Sequence, residues 1–497
     1  MQSSDRVTDH AAGSGKRATE IADLIEIDLM ERGWPVGEII GTFADMIETY
    51  GVSRAVIREA IGLLEHKMVV EMRHGPGGGI VVRAPVAEAI VGSISSYLDY
   101  TGVKGEELFK LRLRLLGLAA RLAAERIDDD GIQQLRDVVD RTRLDEREDP
   151  QTRVRTLEIF SAITEHSGNP VLTIFWSALV QRVTAGVIGG YDVSPERHQR
   201  MYDHQRVVVD AIIARDSRLA ERRMHQFLED IYADVGSQAE QAATQESEMR
   251  EDVQEAITGV GIPLPAIGRD RRKKLPARVV RQLLREIEEK GLQAGDVLGM
   301  ERDLLERLSV SRSVFREAVR IIEFYGLAEM RRGPKGGLTV SVPDSAHVEE
   351  AIIRYLEFVG ANLTDLHEIR VELELSHVEW TIERGDEVIS RVAEYIESAD
   401  DEVRRRGGFR QMFVDLSGNR ASRLMSNVLS KMLDRFVFEH ELMMKYSPSE
   451  KEEIQARLDQ NHVDIATAVR ARDAESAARF VRRHLEFVGG LLASTGR

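Results

Sequence analysis

The sequence predicts a mainly α protein. Two winged helix-turn-helix modules, each with a small β-hairpin wing, alternate with two all-helical bundles. Three observations carry this reading. The chain repeats itself once, at a spacing far longer than a solenoid repeat. Each repeat opens with the order helix, strand, helix, helix, hairpin. The rest of each repeat keeps helical spacing of apolar residues, with no strand-like alternation.

The repeat is legible directly. Residues 50–79 read YGVSRAVIREAIGLLEHKMVVEMRHGPGGG and residues 308–337 read LSVSRSVFREAVRIIEFYGLAEMRRGPKGG. Fifteen positions match without a gap, at an offset of 258. Downstream, HSGNP (166–170) echoes LSGNR (416–420), and VVVDAIIARD (207–216) echoes DIATAVRARD (464–473). A chain of 497 residues is too long for one core. We expect a winged module at 15–85, a helical domain at 86–236, a linker at 237–268, a second winged module at 269–344 and a second helical domain at 345–497. The linker starts as a polar helical tail and ends in Gly and Pro, which punctuate connections.

In copy two, ARVVRQLLREIEEKG (277–291) has apolar residues at helical spacing and stops at Gly. DVLG leads to a second helix in MERDLLERLSV. Ser311 then caps a third helix, RSVFREAVRIIEFYG. LAEMRR and LTVSV are short strands joined by GPKGG. Copy one follows the same order, with its third helix starting at Ser53 and its wing in VVEMRHGPGGGIVVR. The third helix opens with Arg54 and Arg58 in copy one and with Arg312 and Arg316 in copy two. A spacing of four puts each pair on one face. Arginine there can bridge guanine O6 and N7 or clamp a phosphate, and the helix N-terminus with its Ser hydroxyl adds phosphate contacts. The competing reading is surface ion pairing, as with Glu59 and Glu317. The occurrence of the arginine motif twice, in the same helix–helix–hairpin context, disfavours that reading.

Composition bounds the rest. Hydrophobic content is 42%, charged content 31% and aromatic content 5%, which favours helices in a globular protein. The absence of cysteine excludes disulfides, thiolate metal sites and cysteine nucleophiles, and fits a reducing compartment. We find no membrane-spanning apolar run and no secretory signal, so a cytoplasmic location is expected. The polar start, MQSSDRVTDHAAGSGKR, reads as a flexible tail. Net charge is −16, which argues against wholesale coating of nucleic acid. Residues 269–342 nonetheless hold seventeen Lys and Arg against eleven Asp and Glu, a basic island suited to a local DNA surface. No nucleophile motif, metal quartet or dinucleotide fingerprint is present. GPGGG (75–79) lacks the Gly-Lys-Ser/Thr of a phosphate loop and sits between two strands. An enzyme is therefore not expected, and no cofactor or metal is expected.

VSRAVIREAIGLLE and VSRSVFREAVRIIE resemble the signature of GntR-family transcription regulators. The SGN triplets at 167–169 and 417–419 resemble the FadR-type (FCD) branch of that family, here as a tandem duplication. The resemblance implies a sequence-specific DNA-binding regulator, expected to repress. Its operator affinity would be modulated by a small molecule in an all-helical bundle. It implies double-stranded DNA as partner, an intrachain pseudo-dimer, and a homodimer as a further arrangement. The alternative is an inert oligomerisation or scaffold protein that kept the fold. The resemblance also implies an additional DNA-reading arginine on the second helix, where copy two has Arg302 and copy one Ala44. It implies a basic residue and Gly at the wing tip, matched by His74–Gly75 and Arg332–Gly333. Copy two is thus the better equipped.

Many members of this branch bind a metal through an Asp and three His. Gapless counting from SGN puts Thr156, Phe160, Gln205 (beside His204) and Phe227 at those positions in copy one, and Arg406, Arg410, His462 and His484 in copy two. Phe cannot ligate, and Arg stays charged and repels a cation. Copy one reads as filled. In copy two, Arg370, Arg410, His462 and His484 are the expected effector-binding residues, suited to an anion such as a carboxylate. Arg370 belongs to R-x-x-L-E, ending at Glu374; copy one keeps Arg112 but has Leu116 in place of the acid. Two further readings stay open: relic histidines bonded inside the bundle, and a residual metal.

Overall fold

The computed structural model describes residues 5–66, 69–73, 75, 77–142, 150–187, 195–242, 274–331, 336–342, 344–398, 408–436 and 446–493. Most of the linker, with His74, Arg332, Gly333 and Arg406, lies outside the described residues, as does the side chain of Thr156. Copy one comprises α1 (Asp5–Glu31), β1 (Ile39–Gly41), α2 (Phe43–Tyr50), α3 (Arg54–His66), β2 (Val70–Arg73), β3 (Gly79–Val82), α4 (Ala87–Tyr100), α5 (Gly105–Arg126), α6 (Asp129–Thr142), α7 (Pro150–His166), α8 (Pro170–Val187), α9 (Pro195–Ile213) and α10 (Ser217–Ala242). Copy two comprises α11 (Lys274–Glu289), β4 (Val297–Gly299), α12 (Glu301–Leu308), α13 (Arg312–Phe324), β5 (Ala328–Arg331), β6 (Gly337–Val340), α14 (Ser345–Phe358), α15 (Leu363–Glu383), α16 (Asp386–Ser398), α17 (Phe409–Leu416), α18 (Arg420–Phe436), α19 (Pro448–Arg470) and α20 (Ala474–Ala493).

The chain divides into two compact units, Met1–Ser93 with Pro265–Gly360 and Ile94–Leu264 with Ala361–Arg497. Each unit therefore contains one domain from each copy. The cut after Ser93 falls inside α4, later than the sequence-based boundary at residue 85, and the cut after Gly360 falls beyond α14 rather than before it.

In the winged unit, Ile21, Ile25 and Leu29 of α1 pack with Ile57, Ile61 and Leu64 of α3 and with Ile80 of the wing, all fully buried. Each such side chain contributes roughly 1.5–3 kcal/mol. This packing corrects one expectation. The polar start is not a tail; it is helical from Asp5 onward, because α1 is nucleated by its buried turns and extends upstream at little further cost. The wings are three-stranded antiparallel sheets, β1-β3-β2 and β4-β6-β5, since the short strand before the second helix joins each hairpin. That third strand requires glycine at Gly79 and Gly337. A Cβ at these positions would lie 2.8 Å and 2.6 Å from the carbonyl oxygens of Gly41 and Gly299.

The two winged modules exchange their connecting helices. Ser93 of α4 donates to the Tyr325 carbonyl at 3.2 Å, and a Cβ on Gly92 would meet Leu284 of α11. Reciprocally, Phe358 of α14 packs edge-on against Trp34 of copy one, with centroids 6.0 Å apart. Arg320 of α13 donates to the Glu65 carbonyl of α3 at 2.6 Å. Arg83 pairs with Glu317.

In the helical unit, α5 and α15 are the central helices. The helical spacing of apolar residues in the sequence implies one buried face on each, and α15 differs. Along α15 the buried residues run Asp365, Leu366, Ile369, Glu372, Leu373, Leu375–Val378, Trp380 and Thr381, which covers most of its circumference. The reason is the number of neighbours: α15 touches α16, α17, α18 and α20 of its own copy and α5 and α8 of the other. A helix enclosed on many sides has no single solvent face for a periodic pattern to mark.

Candidate DNA interface and the buried pocket of copy two

The recognition helices are set by local sequence. Ser311 caps α13 by accepting from the Val314 amide at 3.4 Å, and Ser53 accepts from Val56 in the same way. Both serines therefore stand at exposed helix N-termini, with Arg54, Arg58, Arg312 and Arg316 exposed on the first turn and a half. The side chain of Arg316 is 73% exposed and lies 3.8 Å from Glu301, a weak surface pair. Glu317, considered as a partner for these arginines, instead turns inward to Arg83 of the other module. Arg302 and its counterpart Ala44 are both exposed on the second helices, α12 and α2. Thr42 and Asp45 form a capping box around the start of α2, with the Thr42 amide donating to Asp45 at 2.7 Å. Gly75 holds a positive φ of 106° in the copy-one wing.

The second constellation lies inside the copy-two bundle. Glu374 and His377 of α15, Arg410 of α17, His462 of α19 and His484 of α20 line a cavity of about 30 Å³. Three of the four sequence-predicted effector residues thus meet there. The fourth, Arg370, reaches it indirectly by donating to Glu374 at 2.6 Å. The ring of His462 stacks on Phe409 at 4.1 Å, and its centroid is 4.9 Å from that of His484. Burial pushes the Glu374 carboxyl up, but the Arg370 and Arg410 guanidiniums outweigh it and hold the group at about 2. Burial holds both His377 and His462 down at about 4. At neutral pH the cluster is therefore two guanidiniums, one carboxylate and neutral imidazoles, a net single positive charge.

His377 was missed in the sequence because its spacing from Glu374 looks like ordinary core periodicity. Its Nε2 lies 3.0 Å from Ser422 Oγ, and that hydroxyl donates to the Asn419 carbonyl at 2.9 Å. The network places the proton on Nε2 and leaves Nδ1 without a hydrogen-bond partner among the described residues. Asn419 in turn donates through Nδ2 to the Glu107 carbonyl of copy one at 2.8 Å. The equivalent Asn169 donates to the Asp365 carbonyl of copy two at 3.0 Å. Each SGN asparagine thus ties its loop to the first central helix of the opposite copy.

The matching place in copy one holds aromatic rings. Phe160 stacks on Phe227 at 5.3 Å and meets Trp176 edge-on at 5.6 Å. His204 pairs with Asp230 at 3.2 Å, and Gln205 is buried. The copy-one centre is filled with aromatic rings.

Comparison with known proteins bears on both sites. The family description "Bacterial regulatory proteins, gntR family" matches residues 17–82, and the FCD domain matches twice, at 107–230 and 365–487. The chain belongs to the GntR family, in its FCD-bearing branch. It is similar to the HTH-type transcriptional repressor NanR of Cronobacter sakazakii, 25% identical over 224 residues that make up 43% of this chain and 85% of the relative. It is also similar to the Uxu operon regulator of Haemophilus influenzae, 25% identical over 228 residues, 43% of this chain and 79% of that protein. A solved GntR structure from Streptococcus agalactiae covers 44% of this chain and 99% of its own at 22% identity, with a TM-score of 0.34. Each relative accounts for less than half of this chain, and the FCD domain occurs twice. This GntR member is a DNA-binding transcription regulator, not an enzyme, and carries its helical domain in tandem.

The metal that many FCD proteins hold does not fit here. In copy two a metal-ligand position is taken by Arg410, whose guanidinium donates to Ser430 and faces Glu374. In copy one, Phe160 and Phe227 close the space. Among the described residues no group of three or more His, Cys, Asp or Glu side chains is arranged to hold a metal ion. No described helix is long and apolar enough to cross a membrane.

Proposed function

We propose that this GntR member is a repressor that works as an intrachain pseudo-dimer. The observation that carries the reading is that two recognition helices with exposed arginine-bearing N-termini belong to one compact unit. Ser53, Arg54 and Arg58 would serve one half-site. Arg302, Ser311, Arg312 and Arg316 would serve the other, with His74–Gly75 and Arg332–Gly333 as wing-tip contacts in the minor groove. The repressing role is supported by the name of the NanR relatives.

The copy-two pocket is the proposed effector site, and a small anion, with a carboxylate as the favoured class, is its proposed ligand. A cavity of about 30 Å³ holds a water or two, not a metabolite. Glu374 occupies the two guanidiniums as an internal anion. An effector carboxylate would displace it from Arg370 and Arg410 and take up the net positive charge, with His462 and His484 at its flank.

Operator affinity of Arg316→Ala and Arg58→Ala at fixed salt tests the DNA reading. Loss of a base-contacting arginine should weaken binding by roughly 1–3 kcal/mol, more severely at Arg316. Unchanged binding by the Arg316 variant rules out the assigned interface.

A further inference from the structure

The two central helices of the helical unit carry opposite charge where they face each other. From copy one, Arg114 pairs with Glu379 at 2.5 Å, Lys110 pairs with Glu383 at 2.8 Å, and Arg126 pairs with Glu368. Every cation in these contacts comes from α5 and every anion from α15. The 258-residue offset that aligns Arg112 with Arg370 also aligns Arg114 with Glu372 and Arg121 with Glu379. In the pseudo-twofold pairing the 114 position of one helix therefore faces the 121 position of the other. One face of this layer is the Arg114–Glu379 pair. On the other, burial pushes the Glu372 carboxyl up, with Arg114 and Arg121 of copy one opposing that shift and Glu221 of copy one adding to it. Arg121 also lies 3.9 Å from Glu221 of its own copy. One ion pair runs in the opposite sense, Arg420 of copy two on Glu107 of copy one at 2.6 Å; its copy-one counterpart is Pro170, so this contact too is unequal between copies.

Homotypic pairing reverses the sign of the contacts at the 114 and 121 positions, although Lys110 would still meet an acid, Glu125, in a copy-one pair. Two copy-one domains would set Arg114 against Arg121 twice. Two copy-two domains would set Glu372 against Glu379 twice, with Glu372 buried. Like charges placed opposite each other at an interface are strongly unfavourable, and more so where solvent is excluded. The bonds from the SGN asparagines to the opposite copy, 3.0 Å for Asn169 and 2.8 Å for Asn419, are equivalent in both copies and do not discriminate. The charged layer does.

We propose that the duplicated helical domains have become an obligate one-plus-two pair, in which the Arg114/Arg121 face of copy one accepts only the Glu372/Glu379 face of copy two. The partner that fits this surface is a copy-two domain, from the same chain or from a second chain exchanged head to tail. This deepens the pseudo-dimer reading. DNA stoichiometry tests that reading and stability tests this one, so either can fail alone.

The experiment uses the full chain. Arg114→Glu, Arg114→Gln and the swap Arg114→Glu with Glu379→Arg are compared by thermal unfolding in low and high salt, with mass by light scattering. Arg114→Glu should lower the unfolding midpoint by roughly 2–4 °C, more than Arg114→Gln. The deficit should shrink in high salt, and the swap should recover at least half of it. Equal losses for Glu and Gln, or no recovery in the swap, would overturn the proposal, because either result means that Arg114 acts through packing rather than charge. If Arg114→Glu yields no folded protein, folding of the swap supports the proposal and its failure overturns it.

Discussion

His377, in the wall of the copy-two pocket, and Asn419, at the contact with copy one, are joined through a single hydroxyl. His377 Nε2 donates to Ser422 Oγ at 3.0 Å and Ser422 donates to the Asn419 carbonyl at 2.9 Å. The pocket and the inter-copy bond to Glu107 therefore meet at Asn419, whose carbonyl accepts from Ser422 and whose side-chain amide donates to Glu107. All three side chains are buried, so none of these bonds exchanges freely with water.

Ser422→Ala breaks this path at its centre. His377 Nε2 is left without its partner while the Asn419 carbonyl keeps the Arg423 amide, and a cost of about 1–3 kcal/mol is expected. Denaturant unfolding of the variant measures it. A stability within experimental error of the wild type would mean that the path carries no energy.

Stability should fall in mild acid. The unfolded His377 takes up a proton near its ordinary value of 6.5, whereas the folded side chain is held at about 4. Between those values the unfolded state binds more protons, so stability is lost as pH drops from 6.5 towards 4. The contribution of His377 is on the order of 3 kcal/mol at full protonation of the unfolded state. Glu374, lowered to about 2, is fully stabilising above 4.5 and adds a further loss below that pH. His377→Gln should flatten the upper part of the profile in unfolding measured from pH 7 to 4.5; an unaltered slope contradicts this assignment.

Glu374→Gln leaves Arg370 and Arg410 without their internal carboxylate. Breaking a buried pair in this way typically costs 3–5 kcal/mol. Added acetate should raise the melting temperature of the variant more than that of the wild type, because the vacated guanidiniums accept an external anion. If acetate acts equally on both proteins, the pocket is not an anion site. As-purified wild type should hold no stoichiometric Zn, Mn or Ni, and chelator should leave its melting temperature unchanged; one metal per chain, lost on His484→Ala, is the opposing result.

The two half-sites should be unequal. Arg302 stands where copy one has Ala44, and both are exposed. Introducing Ala44→Arg should tighten operator binding and steepen its salt dependence by about one counterion. Light scattering of the complex with a footprint on the same DNA should find one chain on an imperfect palindrome. Two chains on a perfect palindrome, both halves equally sensitive to Arg316→Ala, would refute the pseudo-dimer.

The sequence by itself determined the elements and their order. Apolar spacing, the Ser53 and Ser311 caps and the glycine-bearing wings are local signals, and each concerns residues within one or two turns of each other. The same locality made Arg54, Arg58, Arg312 and Arg316 readable as one exposed face. Tertiary structure decided what pairs with what. The exchange of α4 and α14, the Asn419–Glu107 bond and the Arg114–Glu379 layer join residues hundreds of positions apart, which no periodicity encodes. For the same reason Glu374 and His377 could not be assigned to the pocket from spacing alone. On a helix buried on most sides, a core residue and a pocket residue carry the same pattern, and only the neighbouring helices α17, α19 and α20 distinguish them.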